Sequence, residues 1–353
     1  MKLIDVCDFQ GGSQPPKEEW AFEEQDGYIR MLQIRDFTQS EKVIPEYIKV
    51  SNSTKTCEVD DILIARYSAS IGKILTGLAG AYNVAIMRTV PDTSKVQKRY
   101  LYYYLKSPYF QNAILNVGSR AAQAGFNKED LSKLEIKCPA LIDQGEIVSV
   151  LEKVESVIQK RKQELQLLDN LIKARFVELF VGKKYEIVKA GSIIKEMRNG
   201  VSPSTSGGHF EKVLTLSAIT QGKFDDKAWK EGFFTDCPSA EKRITEDDFY
   251  ICRGNGNKSL VGMGVYALEN RPDLFFPDTV IAAHIDTERM VLPYLWIMWQ
   301  QPEVRKQLES GARTTNGTYK INQKVISEIK IICPPINEQE VFADFVKQVN
   351  KSK

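Results

Sequence analysis

The segment GSRAAQAGFNKEDLSKLEIKCPALIDQGEI, residues 118–147, returns near the end of the chain as GARTTNGTYKINQKVISEIKIICPPINEQEV, residues 311–341. Both copies lead through an alternating aliphatic run to a cysteine and a proline, and then into an acidic, glutamine-containing start of a helix. A period of roughly 190 residues is far too long for a solenoid repeat. The pattern therefore indicates a duplicated domain.

Three more landmarks recur in the same order in the two halves of the chain. The matched segments are LIDV at residues 3–6 and IVKA at 187–190, DDILIAR at 60–66 and DDFYICR at 247–253, and YLYYYLKSP at 100–108 and YLWIMWQQP at 294–302. The spacing between partners grows slowly along the chain, which predicts small insertions in the loops of the second copy. The duplication thus covers nearly the whole of each half.

Bulk composition limits the class of protein. The chain has 353 residues, which suggests two domains at roughly 150 residues each. No apolar run approaches the ~20 residues of a transmembrane helix, and MKLIDVCDFQ lacks a signal-peptide core, so we expect a cytoplasmic protein with no membrane partner. Six scattered cysteines and two histidines argue against a zinc site and a disulfide framework, and we predict no metal site. The net charge of +2 requires any basic surface to be local.

The landmarks predict a small α+β domain in each half. DDILIAR and DDFYICR are typical of buried strands that deliver an arginine and a small-residue loop to one edge of a sheet. YLYYYLKSP and YLWIMWQQP have helical spacing interrupted by proline, and LEIKCP and IKIICPP are predicted strands that stop at proline. The predicted domains are residues 1–140 and 183–335.

A long helix is predicted over residues 141–182, between the two domains. Its apolar residues alternate at steps of three and four, the spacing of a coiled-coil seam, although an amphipathic helix on a globular core remains the alternative. Such a helix would be a spacer of roughly 55 Å. The seam positions are Ile147, Leu151, Val154, Ile158, Leu165, Leu168, Ile172 and Leu179, with Arg161 and Arg175 at two more places in the series.

A second, shorter helix is predicted over residues 336–353, with seam positions Phe342, Val346 and Val349. If it pairs antiparallel and end to end with the first helix, the first seam is left uncovered from about Ile158 onward. An exposed aliphatic seam of this kind rarely stays unpaired in water. We therefore expect either that the second helix is a shortened form, or that another chain or a second copy of this one covers the seam.

The chain resembles the specificity subunits of type I restriction-modification systems. The resemblance rests on the order of domain, long helix, domain and helix, and on three sets of segments: GSRAAQAGFN with GARTTNGTYKIN, KCPALIDQGEI with ICPPINEQEV, and the helix ending KARFVELF. The resemblance implies two duplicated mixed-sheet target recognition domains linked by long antiparallel coiled-coil helices. It further implies that each domain reads one half of a bipartite asymmetric DNA site, while the helices set the spacing and bind methyltransferase subunits. The shortened second helix departs from the family pattern.

The two copies differ most in their loops, where such a protein would read different sequences. Arginine can pair with guanine and Asn or Gln with adenine, while Lys and Ser can hold phosphates. The predicted DNA-binding residues of the first domain are Arg66, Ser68, Ser70, Lys73, Arg120, Gln123 and Asn127. Those of the second domain are Arg253, Asn255, Asn257, Lys258, Arg313, Thr314, Asn316 and Tyr319.

The sequence predicts no catalytic residues of its own. YSASIGKI departs from a phosphate-binding loop at Tyr67 and Ile74, and GNGNKSLVGMG lacks the context of a dinucleotide site. A magnesium-dependent nuclease built on Asp278, Asp286 and Glu288 has no counterpart in the other copy. An enzyme with an unfamiliar site and a coiled-coil interaction scaffold without DNA readout remain the alternatives.

The partners follow from the resemblance. They are double-stranded DNA, two methyltransferase subunits and ATP-dependent restriction subunits. The resemblance places S-adenosylmethionine, ATP and magnesium on those partner subunits, and no cofactor in this chain.

Overall fold

The computed structural model describes residues 1–39, 43–118, 125–315 and 317–353, and it leaves undescribed the side chains of residues 68, 117, 118 and 315. The chain divides into two compact units, Met1–Lys160 and Arg161–Lys353. One long helix, α5 (Leu141–Phe180), runs through the division, where the sequence predicted a helix over residues 141–182.

The first unit is a mixed α+β fold. Its strands are β1 (Cys7–Gly11), β2 (Trp20–Ala21), β3 (Tyr28–Leu32), β4 (Tyr47–Lys49), β5 (Thr56–Cys57), β6 (Leu63–Ala65), β7 (Ile74–Leu75), β8 (Gly80–Tyr82) and β9 (Ile86–Pro91). Its helices before α5 are α1 (Ile34–Thr38), α2 (Lys98–Lys106), α3 (Pro108–Gly118) and α4 (Lys128–Ser132), with short 3-10 helices at Leu3–Asp5, Lys17–Glu19 and Ser68–Ser70.

Two sheets form in this unit, ordered β1-β9-β6-β7 and β2-β4-β3-β8-β5. The helices α2 and α3 bury Leu101, Leu105, Phe110 and Ile114 against the first sheet, whose inner face includes Ile64. Leu101 and Leu105 are four residues apart, so they lie on one face of α2. Pro108 begins α3 because proline is well accommodated in the first turn of a helix.

The second unit repeats this composition of elements. Its strands are β10 (Glu186–Lys189), β11 (Ile194–Asn199), β12 (His209–Leu214), β13 (Trp229–Phe234), β14 (Arg243–Ile244), β15 (Asp248–Cys252), β16 (Gly254–Asn255), β17 (Gly264–Tyr266), β18 (Arg271–Phe275), β19 (Val280–Ile285), β20 (Arg313–Thr315), β21 (Thr318–Lys320) and β22 (Lys330–Cys333). Its helices are α6 (Ser217–Thr220), α7 (Leu292–Trp299), α8 (Pro302–Gly311), α9 (Gln323–Glu328) and α10 (Ile336–Lys351), with 3-10 helices at Ala190–Ser192, Ala240–Lys242 and Lys258–Leu260.

The sheet topology of the two units confirms the predicted duplication. The order β11-β19-β15-β17 reproduces β1-β9-β6-β7, and β13-β12-β18-β14 reproduces β4-β3-β8-β5. Both second sheets contain a parallel pair at the same place, β12 with β18 and β3 with β8. The second unit adds a two-stranded sheet, β10-β22, and a three-stranded sheet, β16-β21-β20. The same backbone framework is therefore built twice.

One predicted strand is wrong. IKIICPP forms β22, but LEIKCP makes only a single bridge, between Lys2 and Glu135. The partner segment explains the difference. In the second unit β10 stays extended for four residues, whereas in the first the 3-10 helix already begins at Leu3. The extended partner there is too short to form a ladder.

The helix α7 is almost completely buried, because it packs between the sheet β11-β19-β15-β17 and the helices α5 and α10. This explains its composition, LPYLWIMW, in which polar residues are absent. Across the described ranges, no helix combines the length and apolar character needed to span a bilayer.

A buried glutamine joins the start of α5 to the first unit. Gln144 is fully buried, and its Oε1 accepts a hydrogen bond of 2.8 Å from the backbone N of Gln97. Its Nε2 donates to the backbone carbonyls of Lys95, at 2.8 Å, and Pro139, at 2.9 Å. One side chain thus links the first turn of α5 to the segment before α2.

The same arrangement recurs at the start of α10. Gln339 is fully buried, and its Oε1 accepts from the backbone N of Val291 at 3.0 Å. Its Nε2 donates to the carbonyls of Arg289, at 3.1 Å, and Pro334, at 2.8 Å. Each of these partners occupies the place in the repeat that its counterpart holds in the first unit. The duplication therefore extends to individual buried hydrogen bonds.

Further along α5, charged and aromatic side chains of α2 hold the helix. Arg99 Nε lies 2.9 Å from Glu152 Oε1, the hydroxyl of Tyr103 donates to Glu155 Oε2 at 2.8 Å, and Lys106 Nζ lies 3.3 Å from Glu155 Oε1. The guanidinium of Arg99 also lies 5.1 Å from the centroid of the Tyr103 ring. This contact is largely exposed and electrostatic.

Glu155 provides a test of this contact. The hydrogen bond from Tyr103, together with Lys106, lowers the pKa of Glu155. Its stabilisation is therefore present above the unfolded pKa of about 4.3 and is lost as the pH falls through the folded value. Glu155→Gln is expected to lower the free energy of unfolding by less than about 1 kcal/mol at pH 7, since the contact is partly exposed. It should also weaken the dependence of that free energy on pH between the unfolded and the folded pKa of Glu155. Urea unfolding from pH 3 to 7 measures both effects.

The exposed Glu146 on the same helix is the matched control. Glu146→Gln should leave the pH dependence as in the unmodified chain. A curve for Glu155→Gln that overlays that of Glu146→Gln would show that the contact with α2 contributes nothing.

The C-terminal half of α5 packs against α10 within the second unit. Ile172, Phe176 and Phe180 are buried in one core with Phe342 and Val346. The helices run antiparallel. Tyr185, just after α5, donates a hydrogen bond of 2.6 Å to Glu338 near the start of α10, and Lys353 past the other end lies 2.5 Å from Asp169.

This pairing corrects the predicted extent of the covered seam. We expected the seam to lack a partner from Ile158 onward, but α10 covers the later part, with Leu168 and Leu179 partly buried and Ile172 fully buried. The earlier positions Ile147, Val154 and Ile158 are 40–50% exposed. Aromatic residues that the heptad pattern does not include, Phe176 and Phe180, form the centre of the contact because α7 packs on the same face of α5.

Candidate nucleic-acid interface

In the first unit, β6 and β7 are joined by a loop with a hydrogen-bonded base. The backbone N of Ala65 donates to the carbonyl of Lys73, and the backbone N of Gly72 donates to that of Ala65, both at 2.9 Å. Gly72 has φ +80°, a conformation that side chains disfavour. Its carbonyl accepts a 2.9 Å hydrogen bond from Nε2 of Gln111 on α3. The base of this loop is thereby attached to the helical layer.

The loop between β15 and β17 has the same base but a longer tip. Here the backbone N of Cys252 donates to the carbonyl of Met263 at 2.7 Å. The backbone N of Gly262, which has φ +73°, donates to the carbonyl of Cys252 at 2.8 Å. The carbonyl of Gly262 accepts from Nε1 of Trp299 on α7 at 2.8 Å. The framework thus presents two different loops from the same kind of hydrogen-bonded base.

The two arginines at the loop bases bind backbone carbonyls. Arg66 donates from Nε to Phe126 and from Nη1 to Val84, each at 3.2 Å, and Arg253 donates from Nη1 to Asp278 at 3.1 Å. The guanidinium of Arg66 also lies 5.0 Å from the Tyr67 ring centroid. Both arginines thus hold neighbouring segments in place, and their predicted contacts with bases stay a prediction.

The predicted asparagines also have local roles. Oδ1 of Asn127 accepts from the backbone N of Asp130 and caps α4, while Oδ1 of Asn257 accepts from Ser259 N, both at 3.0 Å. Asn255 accepts from the backbone N of Asn257 at 2.8 Å. Asn322, which repeats Asn127, caps α9 in the same way. The oxygens of these side chains stabilise the loops, so any base contact would fall mainly to their amide nitrogens.

The three-stranded sheet brings together predicted residues from two distant segments. In β16-β21-β20, Asn255 lies opposite Tyr319, and Tyr319 lies opposite Thr314. In the first unit, a bridge between Tyr67 and Gly125 joins the corresponding segments. The separate loop sequences of the second domain therefore form one continuous surface.

A basic groove of about 750 Å³ lies beside this sheet. Arg253, Arg313, Lys320 and Lys324 contribute its positive charge. Its acidic residue, Glu328, is 2.6 Å from Lys189, which also lowers the pKa of the carboxyl. Arg313 and Lys320 lie directly opposite each other, a like-charged pairing that a bound anion would relieve.

Lys320 and Lys324 were missed in the sequence. Lys320 follows Tyr319 directly, so the signal was present in TYKINQK, but a scattered pair of lysines is no motif by itself. The fold brings them together, because it places the β20–β21 hairpin and the short helix α9 at one groove.

The remaining predicted residues are distributed along the same loops. Ser68 and Ser70 lie in the 3-10 helix after Arg66, and Lys73 and Lys258 are exposed. Arg120, Gln123 and Asn316 lie outside the described residues. In the part of the chain that is described, no group of three His, Cys, Asp or Glu side chains is placed to hold a metal ion. Asp286, one of the carboxylates of the nuclease alternative, lies 3.3 Å from Lys195.

The chain thus contains two domains with one framework and different loops, and a long helix follows the first of them. Residues 1–168 match the family model of the type I restriction modification DNA specificity domain. The resemblance seen in the repeated segments is confirmed.

A curated relative is the type I restriction enzyme StySPI specificity subunit of Salmonella potsdam. It is 21% identical over 283 residues, which are 72% of this chain and 58% of the relative. This chain thus spans somewhat more than half the length of that protein.

Solved structures share the fold. The S subunit of a type I restriction-modification system from M. genitalium superposes with a TM-score of 0.54 at 14% identity, covering 100% of this chain and 89% of that one. A chain from a structure on complex assembly and conformational transition of the type I R-M system gives 0.53 at 16% identity, covering 100% and 90%. The predicted fold class is confirmed.

Proposed function

We propose that this chain is the DNA specificity subunit of a type I restriction-modification enzyme, in which each domain reads one half of a bipartite asymmetric site. The observation that carries the proposal is the repeated framework with different loops at equivalent bases. Two copies of one scaffold can present different side chains to two half-sites, and half-site spacing then follows from the connection between them.

In the second domain, the residues around the groove suggest two separate roles, contact with phosphates and contact with base edges. Lys320 and Lys324 would hold phosphates, which position a protein on the duplex without reading its sequence. Arg313, Thr314 and Tyr319 on the hairpin would meet base edges, as would the tip of the loop at Asn257. In the first domain the loop after Arg66 would have the same role.

The long helix supplies the remaining parts of the proposal. As a continuous helix of 40 residues, α5 is about 60 Å long and would act as a spacer. Its exposed aliphatic positions, including Ile147, Val154 and Ile158, would bind methyltransferase subunits. Those partners would supply S-adenosylmethionine-dependent adenine methylation, and restriction subunits would supply ATP- and magnesium-dependent cleavage. This chain would then be non-catalytic.

Methylation mapping tests the proposal. The chain is expressed with a type I methyltransferase subunit, and N6-methyladenine is mapped across the host genome. We expect a split motif with a fixed gap, and we expect replacement of residues 1–140 by another recognition domain to change only one half of it. A coiled-coil scaffold without DNA readout would instead assemble with its partner and yield no motif.

The groove yields a quantitative prediction for the assembled complex. Double substitution of Lys320 and Lys324 by glutamine should weaken binding to all DNA sequences alike. It should also reduce the slope of log K against log salt by about 0.9 for each phosphate contact removed. Fluorescence anisotropy at several salt concentrations measures the slope. Lys230→Gln, an exposed lysine on β13, is the control, and a slope equal to that of the control would exclude the groove from DNA contact.

A further inference from the structure

A cavity of about 480 Å³ lies in the second unit, away from the basic groove. Phe224, Tyr266 and Trp296 form an aromatic floor, and Asn350 of α10 and Lys353, just past the end of that helix, contribute to the wall. The Tyr266 and Trp296 rings meet edge to face with centroids 6.2 Å apart. Its volume and aromatic lining are those of a small-molecule site.

The two polar groups of the cavity floor differ in whether they have a hydrogen-bond partner within the protein. Nε1 of Trp296 donates to the carbonyl of Gly222 at 3.1 Å. Tyr266 lines the same cavity, and within the described chain its hydroxyl makes no hydrogen bond. Burial raises the pKa of Tyr266 to about 12, so the hydroxyl remains a proton donor at neutral pH. The hydroxyl is therefore free to donate to an acceptor on a ligand that enters the cavity.

The cations of the cavity are also unequally paired. Lys353 Nζ lies 2.5 Å from Asp169 Oδ1, while Lys223 Nζ lies 3.6 Å from the same oxygen. Two ammonium groups therefore share one carboxylate, and Lys223 has the longer contact. Burial lowers the pKa of Lys223, and the neighbouring Lys353 lowers it further. An anion at Lys223 would relieve this repulsion.

The third cation, Arg271, is not available in the same way. It forms ion pairs with both Asp226 and Asp273, and the Asp273 contact from Nε measures 3.1 Å. The charge of Arg271 is thus compensated within the protein. The anion-binding capacity of the cavity rests on Lys223.

We infer that this cavity binds a small aromatic molecule carrying one anionic group, a carboxylate or a phosphate. The ring would pack on Tyr266 and Trp296, the anion would pair with Lys223, and the Tyr266 hydroxyl would donate to an acceptor on the ligand. Because the walls include residues of β17, β18 and α10, a ligand would link the two four-stranded sheets of this unit to the end of that helix. The inference does not depend on the proposed DNA-reading function.

Calorimetry on the full chain tests the inference. The probes are indole-3-acetate for the carboxylate and adenosine 5′-monophosphate for the phosphate, with indole-3-acetamide and adenosine as neutral counterparts. We expect saturable 1:1 binding of at least one anionic probe and a Kd at least about tenfold weaker for its neutral counterpart. If only one of the two anionic probes binds, the result shows whether the site takes a carboxylate or a phosphate.

Two variants locate the site. Lys223→Met is expected to weaken binding about tenfold, and Tyr266→Phe, which removes only the hydroxyl, about fivefold. Lys230→Met should bind as the unmodified chain does. Thermal melting establishes that each variant is folded. If Lys223→Met is unstable, Tyr266→Phe still tests the site, because it keeps the aromatic ring and removes only the hydroxyl. Absence of saturable binding by either anion at millimolar concentration, or binding unchanged in folded variants, overturns the inference.

Discussion

Replacing Phe176 by alanine is expected to lower the free energy of unfolding of the second unit by about 3–5 kcal/mol, the usual cost of removing a buried aromatic side chain. Phe176 is fully buried, and its ring centroid lies 5.2 Å from that of Phe180, 5.5 Å from Tyr294 and 5.7 Å from Phe342. The substitution would leave a cavity where α5, α7 and α10 meet, since none of these helices can close it alone.

The neighbouring residue supplies the control. Val177 is half-exposed, so Val177→Ala should change stability by no more than about 0.5 kcal/mol. Urea unfolding followed by tryptophan fluorescence suits the comparison, because Trp229, Trp296 and Trp299 all lie in the second unit. Equal effects of the two substitutions would mean that the aromatic cluster does not hold α5 to this unit.

Substituting Gln339 by leucine is expected to cost about 3 kcal/mol or more, although leucine has nearly the same size. The change removes a side chain that bonds three backbone groups, the N of Val291 and the carbonyls of Arg289 and Pro334. Each buried polar group left without a partner costs about 1–3 kcal/mol. The loss should appear as a lower urea midpoint for the second unit with an unchanged slope.

Gln348, exposed on the same helix, is the control, and Gln348→Leu should be close to neutral. Because Gln144 makes the equivalent three bonds in the first unit, Gln144→Leu should destabilise that unit by a similar amount. If Gln339→Leu behaved like Gln348→Leu, the buried bonds would contribute no net stability.

The sequence contained enough information to predict the duplicated framework. DDFYICR became a buried strand, YLWIMWQQP became α7 and the start of α8, and IKIICPP became β22. These predictions succeed because hydrophobic periodicity and proline act locally, within a few residues. The buried glutamines were in plain view in DQGEI and NEQEV, yet a polar residue at a helix start is normally exposed, so nothing marked them as core residues.

The sequence indicated which loops differ between the two copies, but it did not indicate which of their side chains are occupied by contacts within the protein. Arg66 and Arg253 were selected for reading bases, but the structure shows them bound to backbone carbonyls. Lys320 and Lys324, which were not selected, line the basic groove. Pattern reasoning favours side chains with the right chemistry, whereas hydrogen bonding to distant segments decides which of them remain available.

By itself, the sequence determined that one α+β domain occurs twice, that a long helix follows the first copy, and that the copies differ in their loops. Only the tertiary structure decided which face of α5 is covered, which half of its seam stays exposed, and which cations share a groove. The physical reason is the distance along the sequence between the residues that interact. Strand and helix patterns arise between neighbours in sequence, whereas burial of Phe176 requires Tyr294 and Phe342, more than a hundred residues away, and long-range packing of this kind leaves no local pattern to read.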